Sequence, residues 1–485
     1  MTGVNESVIL NLKRKDILYL FILSSFFFLF KLGEGSLASF DESFYAIVSR
    51  NIFRTGDFVR LQLFGEPFMD KPPLYMWVSA LFFKVGGVNE FTIRLFSALS
   101  GVGAVLTTYF LGSKLASRQA GFFGACVLMS SRDFLHYSRW GVLDITNLFF
   151  FTLAFLFFLK GKENSKFFLV FWIAVACAFL TKGPIIVFGG VILAAYSLIR
   201  RDFSYLTHKY FWLGLILGLM IVLPWHILFY LDDPERFMKG YFHFNYIARV
   251  ESSLDGHVGG PFFYLKILIQ KFRPWVIFLF PAIAYSLFLS FKSAQKHSFR
   301  FLLLWIFFFL AFFSFAVKTK LAWYILPIYP AISIAIGVLI ARFLAEKYHW
   351  IAKPIFLAVL ILHIPTSDYV KNHSPKIKEL SSVIQANVRE GDSVFLYRFY
   401  EQPATAFYWE RSIKYIESLN ELKVHFKNFP CSTIGILEND YLTFKDILRA
   451  EGYEEIAKAS AGDKTLILMK NNCLSVGAKE TVELS

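Results

Sequence analysis

Charge is scarce in this chain: Asp, Glu, Lys and Arg make up 18% of its 485 residues, against about 25% in an ordinary soluble domain. Acidic residues are the scarcer sign, 36 against 50 basic ones. Only four cysteines occur, Cys126, Cys177, Cys431 and Cys473, and their spacing matches neither a zinc site nor a CxxC redox pair. Cys126 and Cys177 fall inside apolar runs and read as small core residues. Cys431 and Cys473 flank predicted strands near the C-terminus. They read as free thiols, with a disulfide left open should that region be exported. There is no glycine-rich nucleotide loop and no basic–aromatic patch, so nucleic acid is not what the net charge of +14 serves. Ionisable residues are few inside the apolar runs. A charged pathway through a membrane, the mark of a transporter or flippase, is therefore not visible, and this remains the alternative rather than the leading reading.

What is present is apolar and aromatic. The chain is 56% hydrophobic and 19% aromatic, with 59 phenylalanines and a mean hydropathy of +0.51. The apolar residues come in blocks near bilayer length, which read as membrane-spanning helices. Spans are predicted over 16–32, 92–112, 119–133, 143–160, 166–181, 184–199, 209–230, 274–291, 299–316, 321–341 and 350–366. The fold class expected is an α-helical polytopic membrane protein of about 11–13 transmembrane helices. Lys13-Arg14-Lys15, Lys114 and Arg118, Lys160, Lys162 and Lys166, Arg200, Arg201 and Lys209, Lys292, Lys296 and Arg300, and Arg342, Lys347 and Lys353 fall in alternate loops. Such a basic set marks the cytoplasmic side. The short apolar run Pro73–Val85 is predicted to lie flat along the outer surface, because counting it as a span would reverse every later loop. The first apolar run is read as a span and not as a cleaved signal.

The other loops then face outward. They carry Asp41-Glu42, Asp70-Lys71-Pro72-Pro73, Arg139 and Asp144, Thr181-Lys182-Gly183-Pro184, the long loop 231–273 and Lys318-Thr319-Lys320. Beyond about residue 370, helical and strand patterns alternate: helix at 374–388, strand at 393–397, helix at 404–409, strand at 413–416, helix at 419–426, strand at 433–437, helix at 442–451 and strand at 465–469. This pattern predicts a small C-terminal α/β domain. The organisation expected is a membrane domain over 1–366, with outer loops at 33–90 and 231–273, followed by a soluble periplasmic domain over 367–485.

Several outward residues have chemistry suited to an anionic lipid headgroup. Asp41-Glu42 sits in an apolar setting just after the first span, placed for a general base toward a hydroxyl, though such a pair is commonly a solvated cap. Lys71 precedes two prolines able to open a helix; it is a snorkelling anchor or a counter-charge to a phosphate. Arg139 and Asp144 flank a span and could pair with each other. Asp232-Asp233-Pro234-Glu235 reads as an ordinary helix start, with an Asp cap and Pro in the first turn. The stretch 242–264 holds His243, Asn245, Tyr246, Arg249, Glu251, Asp255, His257 and Tyr264. Its spacing fits no metal site. Arg249 suits a phosphate, whose geometry a guanidinium matches bidentately. Lys318 and Lys320, beside Trp323 and Tyr324, break the outer charge bias and again suggest an anion. Exported cations and carboxylates on a membrane scaffold point to a lipid with a phosphate head.

These residues resemble the GT-C glycosyltransferases of the protein O-mannosyltransferase/ArnT-like family. The resemblance rests on Phe40-Asp41-Glu42 with Tyr45, Gly56-Asp57, Lys71-Pro72-Pro73-Leu74 with Trp77, Arg94-Leu95 with Ser97, and Arg139 with Asp144. It continues through Leu180-Thr181-Lys182-Gly183-Pro184, Pro224-Trp225, Ile247 with Arg249, and His257 with Pro261 and Tyr264, and ends at Lys320-Leu321 with Tyr324 and Leu326-Pro327. It covers about residues 15–345 and, more loosely, the C-terminal region. It implies transfer of a sugar from a polyprenyl-phosphate donor, with inversion, to lipid A, another lipopolysaccharide component, a protein or another envelope glycan. It places the base or acceptor-orienting acid at Asp41, with Glu42 beside it and Asp144 as a second acid. Donor phosphate falls to Lys71, Arg249, Tyr324 and Lys320, and Tyr45, Asp70, Arg139, Lys182 and His257 are further pocket candidates. The expected partners are the lipid-linked donor, a lipid or protein glycan acceptor and the bilayer, without nucleic acid. No cofactor is expected; a divalent metal stays open without being indicated. The implied setting is a bacterial inner membrane with the site on the periplasmic side. The sequence departs from the ArnT pattern at Phe44, where those sequences carry arginine, and at Asn245-Tyr246, where they carry Glu-His.

Overall fold

The computed structural model describes residues 6–38, 40–253, 256–344, 349–365, 369–370, 377–388, 394–398, 403–409, 413–428, 432–461 and 464–471. The apolar blocks read from the sequence are helical, although the one at 119–133 breaks at Ser130–Ser131 into Arg118–Met129 and Arg132–Ser138. Among the described residues, six helices are long and apolar enough to cross a membrane by length and composition: Glu90–Leu115, Leu143–Gly161, Lys209–Asp232, Trp275–Lys292, Lys296–Ala316 and Ala322–Phe343. Phe167–Lys182, Ile185–Arg200 and His349–His363 are shorter. The first helix, Glu6–Leu29, starts about ten residues before the predicted span. No proline or glycine interrupts it, so the helix runs on through Lys13-Arg14-Lys15.

The chain divides into two compact units. The first is Met1–Gly33, Ser49–Leu61 and Pro67–Val370; the second is Glu34–Val48, Gln62–Glu66 and Lys371–Ser485.

In the first unit, similar apolarity gives different burial. The most apolar stretch of Ala322–Phe343 is 83% buried, whereas that of Lys209–Asp232 is only 22% buried. Met220 and Leu231 of the latter are two-thirds exposed, which suits a surface whose solvent is lipid. The buried helix packs on Arg118–Met129 through small residues, as close helix contacts in membranes require. A methyl group added at Gly337 would lie 2.3 Å from the Ala120 carbonyl oxygen and 2.5 Å from the Gly124 nitrogen. Local signals set the helix ends. Asn89 accepts the Thr92 N–H (3.0 Å) while Thr92 Oγ1 accepts the Asn89 N–H (3.3 Å), a reciprocal capping box. Leu74–Gly86 starts directly after Pro73 and stops at Gly87, whose φ is +77°. Asp233 caps Pro234–Arg236 by accepting the Arg236 N–H at 2.9 Å, as the sequence predicts.

The two alternating sets of loops gather separately. In the basic set, Arg118 pairs with Asp16, Lys114 with Glu163, and Lys162 with Asp202 at 2.9 Å. In the other set, Lys182 pairs with Asp144 and Arg60 with Asp232 at 2.7 Å, and Thr319 Oγ1 donates to Ser252 O at 2.9 Å.

In the second unit a five-stranded sheet runs, in spatial order, Ile413–Ile416, Val394–Tyr397, Thr433–Leu437, Lys464–Asn471 and Tyr453–Ala461. The first three are mutually parallel and the last two antiparallel. Helices connect the parallel strands, as parallel pairing requires. Phe395, Tyr397, Ile434, Ile436, Leu422, Leu448, Ile467 and Met469 form its core. The edge strand Tyr453–Ala461 is absent from the sequence reading. Its Glu454, Glu455 and Lys458 and its alanines are poor strand formers; pairing with Lys464–Asn471 makes it a strand. Cys431 and Cys473 lie outside the described residues.

Candidate functional site

The helices Leu143–Gly161 and Phe167–Lys182 form a tight antiparallel hairpin, so the start of one lies beside the end of the other. Asp144 occupies the first turn of the former and Lys182 the last turn of the latter. Each charge is favoured there by its helix dipole. Gly183, with φ +72°, ends the second helix and Pro184 precedes the next. Asp144 Oδ1 and Lys182 Nζ form an ion pair whose side chains are 8% and 14% exposed. The same ammonium lies 5.9 Å from the centre of the Tyr324 ring, within cation–π range. Three residues singled out from sequence therefore meet in one cluster. Asp144 pairs with Lys182 and not with Arg139.

Lys71 stands just before Pro72-Pro73. Its Nζ donates to the Asp70 carbonyl oxygen at 2.9 Å and to Asn245 Oδ1 at 3.4 Å. Asp70 itself is exposed. Asn245 lies on Phe237–Ala248, a π-helix, a geometry found frequently at functional sites. Aromatic contacts join this group to the first. Phe179, one turn before Lys182, packs on His226 with ring centres 5.4 Å apart, and His226 Nε2 meets Tyr241 OH at 3.0 Å. Tyr241 lies one turn before Asn245. The loop before Lys71 is tied down by indole donors: Trp77 Nε1 to Phe58 O (2.7 Å) and Trp225 Nε1 to Val59 O (3.2 Å).

Other candidates have structural partners. Lys320 Nζ donates to the carbonyls of Phe313 (2.5 Å), Ser314 (2.8 Å) and Val317 (2.5 Å), closing the end of the helix Lys296–Ala316. Burial lowers its pKa from the ordinary lysine value, and these three acceptors favour its charged form. Its backbone N–H donates to His257 O at 2.9 Å, so His257 is fixed by its backbone while its side chain is exposed. Arg139 is 3% exposed. It donates to Phe27 O (2.8 Å), Phe28 O (3.1 Å) and Tyr369 O (3.0 Å), with its guanidinium 3.9 Å from the Tyr369 ring centre. It thus caps the end of the first helix. Arg249 opens the short helix Arg249–Glu251; its side chain and Asp255 lie outside the described residues.

Asp41, Glu42 and Tyr45 belong to the second unit. They lie at the start of the helix Asp41–Thr55, where acidic residues suit the dipole. Glu42 is fully buried and accepts the Ala38 N–H at 2.7 Å. Ser43 Oγ donates to Ala38 O at 2.5 Å, and Tyr45 is buried. Glu42 thus holds the turn, whereas Asp41 is partly exposed. Phe40, directly before it, has φ +68°, a strained conformation of the kind concentrated at functional sites. Nearby, Leu37 N–H donates to Tyr408 OH at 2.8 Å.

The sequence reading missed the link from Asn245 to Lys71, which are far apart in the chain. It also missed the role of His226, an isolated histidine in an apolar span. No sequence spacing signals either.

The family model "Dolichyl-phosphate-mannose-protein mannosyltransferase" matches residues 70–228. An uncharacterized protein of Aquifex aeolicus is 32% identical over 382 residues, covering 75% of this chain and 84% of that protein. The undecaprenyl phosphate-alpha-4-amino-4-deoxy-L-arabinose arabinosyl transferase of Shewanella sediminis is 27% identical over 310 residues. That match covers 62% of this chain and only 55% of the transferase, little over half its length. The crystal structure of ArnT from Cupriavidus metallidurans bound to undecaprenyl phosphate matches the fold with a TM-score of 0.76 at 19% identity, over 98% of this chain and 100% of that one. The ordered motifs, the fold and these relatives agree: the chain belongs to the protein O-mannosyltransferase/ArnT-like family of GT-C glycosyltransferases.

Proposed function

We propose that the protein transfers a sugar from a polyprenyl-phosphate donor to a lipopolysaccharide, protein or other envelope acceptor, with inversion, on the outer face of a bacterial inner membrane. The observation that carries this reading is a pair of polar clusters in one loop set, Asp144–Lys182 beside Tyr324 and Lys71 beside Asn245, linked through Phe179, His226 and Tyr241 and apart from the basic loops. Ionisable groups collected at one level suit surface chemistry on a lipid-linked substrate better than passage through the membrane. The relatives named for undecaprenyl-phosphate-linked transfer support the donor class.

In the proposed step the acceptor hydroxyl oxygen attacks the anomeric carbon from the face opposite the phosphate. The bond from that carbon to the phosphate oxygen breaks, and its electron pair leaves with the polyprenyl phosphate. Asp41 takes the hydroxyl proton or orients the nucleophile, while Lys71 and Arg249 stabilise the departing dianion. With a phosphate acceptor no proton needs removal, and Asp41 only orients it. In this reading the lysine charge stabilises the departing phosphate.

The test is transfer in vitro. The purified protein in nanodiscs receives radiolabelled polyprenyl-phosphate sugars and an envelope extract. Label moving to an acceptor supports the reading. Label crossing proteoliposome membranes on an intact donor, with no transfer, refutes it in favour of a flippase.

A further inference from the structure

We infer that Asn245 is a positioning residue for Lys71, orienting its ammonium for a phosphate through a neutral amide. This rests on the donor reading above.

The orientation of the carboxamide is determined by its surroundings. Nδ2 lies 3.2 Å from Met69 O, 3.3 Å from Gly240 O and 3.2 Å from Tyr241 O. Exchanging the two ends would aim the amide oxygen at three carbonyl oxygens, which repel it. The oxygen therefore faces Lys71 Nζ, at 3.4 Å. Asn245 is 5% exposed, so this placement is held by packing as well as by hydrogen bonds.

One side chain thus holds Lys71 at both ends. Met69 is two residues before Lys71, so the Nδ2 bond to Met69 O anchors the backbone at the root of the lysine. Oδ1 anchors its tip. Pro72 and Pro73 stiffen the chain on the other side. The π-helical turn contributes Gly240 and Tyr241 as acceptors five and four residues before Asn245.

The choice of an amide also matters. Asn245 Oδ1 orients the ammonium without itself adding a charge. A carboxylate at 245 would form an ion pair with Lys71 and compete with the phosphate for it. It would also face three carbonyl oxygens with no proton to offer.

The experiment measures undecaprenyl phosphate binding to the full-length protein in nanodiscs, with thermal unfolding recorded for each variant. Asn245→Ala is expected to weaken binding about tenfold, the scale of one hydrogen bond to a charged group. Asn245→Asp, almost unchanged in shape, weakens it further. In a Lys71→Ala background, Asn245→Ala adds nothing, because its effect passes through the lysine. Transfer assays place the loss in the donor KM, with kcat changed less. Unchanged binding by Asn245→Ala and Asn245→Asp overturns the inference, as do losses that add to that of Lys71→Ala. Wild-type protein that does not bind undecaprenyl phosphate overturns the donor reading itself, a distinct outcome.

Discussion

The Asp144–Lys182 pair yields a prediction that separates structure from chemistry. Its two side chains are only 8% and 14% exposed, so deleting one partner strands the other charge in a poorly solvated place. Breaking a buried pair in this way costs about 3–5 kcal/mol. The slight exposure here puts Lys182→Met near the lower end, about 3 kcal/mol. Removing both charges with Asp144→Leu and Lys182→Met leaves nothing stranded. What remains is the lost favourable dipole placement at two helix ends, about 1 kcal/mol in total. Stability would be read by tryptophan fluorescence during thermal and detergent unfolding of the wild type and the two variants. The single variant should be the least stable and the double variant close to wild type. Transfer activity should be lost in both, because Tyr324 loses the ammonium it faces. A single variant as stable as wild type, or a double variant that is stable and fully active, refutes the reasoning.

Three further outcomes follow from particular contacts. Gly337→Val forces a side chain against the Ala120 carbonyl and the Gly124 backbone, which cannot yield as a side chain would; a loss of roughly 3 kcal/mol is expected in unfolding titrations. Arg139→Met removes the donor of the Phe28 and Tyr369 carbonyls, while Phe27 O keeps the Tyr369 hydroxyl at 2.9 Å, so about 2 kcal/mol should be lost while residual activity at low temperature keeps the wild-type donor KM. Exhaustive EDTA dialysis should leave the transfer rate within about twofold of the untreated protein, measured with and without added Mg²⁺ or Mn²⁺.

The spans were legible because bilayer length and apolarity force helices, and the alternating basic loops sorted the connections into the two groups that meet in the structure. Asp233 as a cap and Pro73 as a helix start were legible for local reasons. The strand Tyr453–Ala461 was not, since its charged residues carry little strand preference and its partner supplies the bonds. Within the site, the candidate residues could be named from motifs, but their pairing could not. Lys182 rather than Arg139 joins Asp144 because a helical hairpin brings residues 38 apart together. Lys320 reads as a surface cation, yet three carbonyls of a helix end surround it. Pairings between side chains far apart in the chain leave no periodic trace in the sequence.

The central claim is that Asp41 serves the acceptor while Lys71 serves the donor phosphate. The direct measurement compares Asp41→Asn and Lys71→Met for undecaprenyl phosphate affinity and for transfer from a polyprenyl-phosphate sugar. Asp41→Asn should bind undecaprenyl phosphate like wild type and lose about 100-fold or more in kcat. Lys71→Met should lose about tenfold or more in that affinity. Asp41→Asn with full transfer activity, or Lys71→Met with undiminished affinity, would contradict the account.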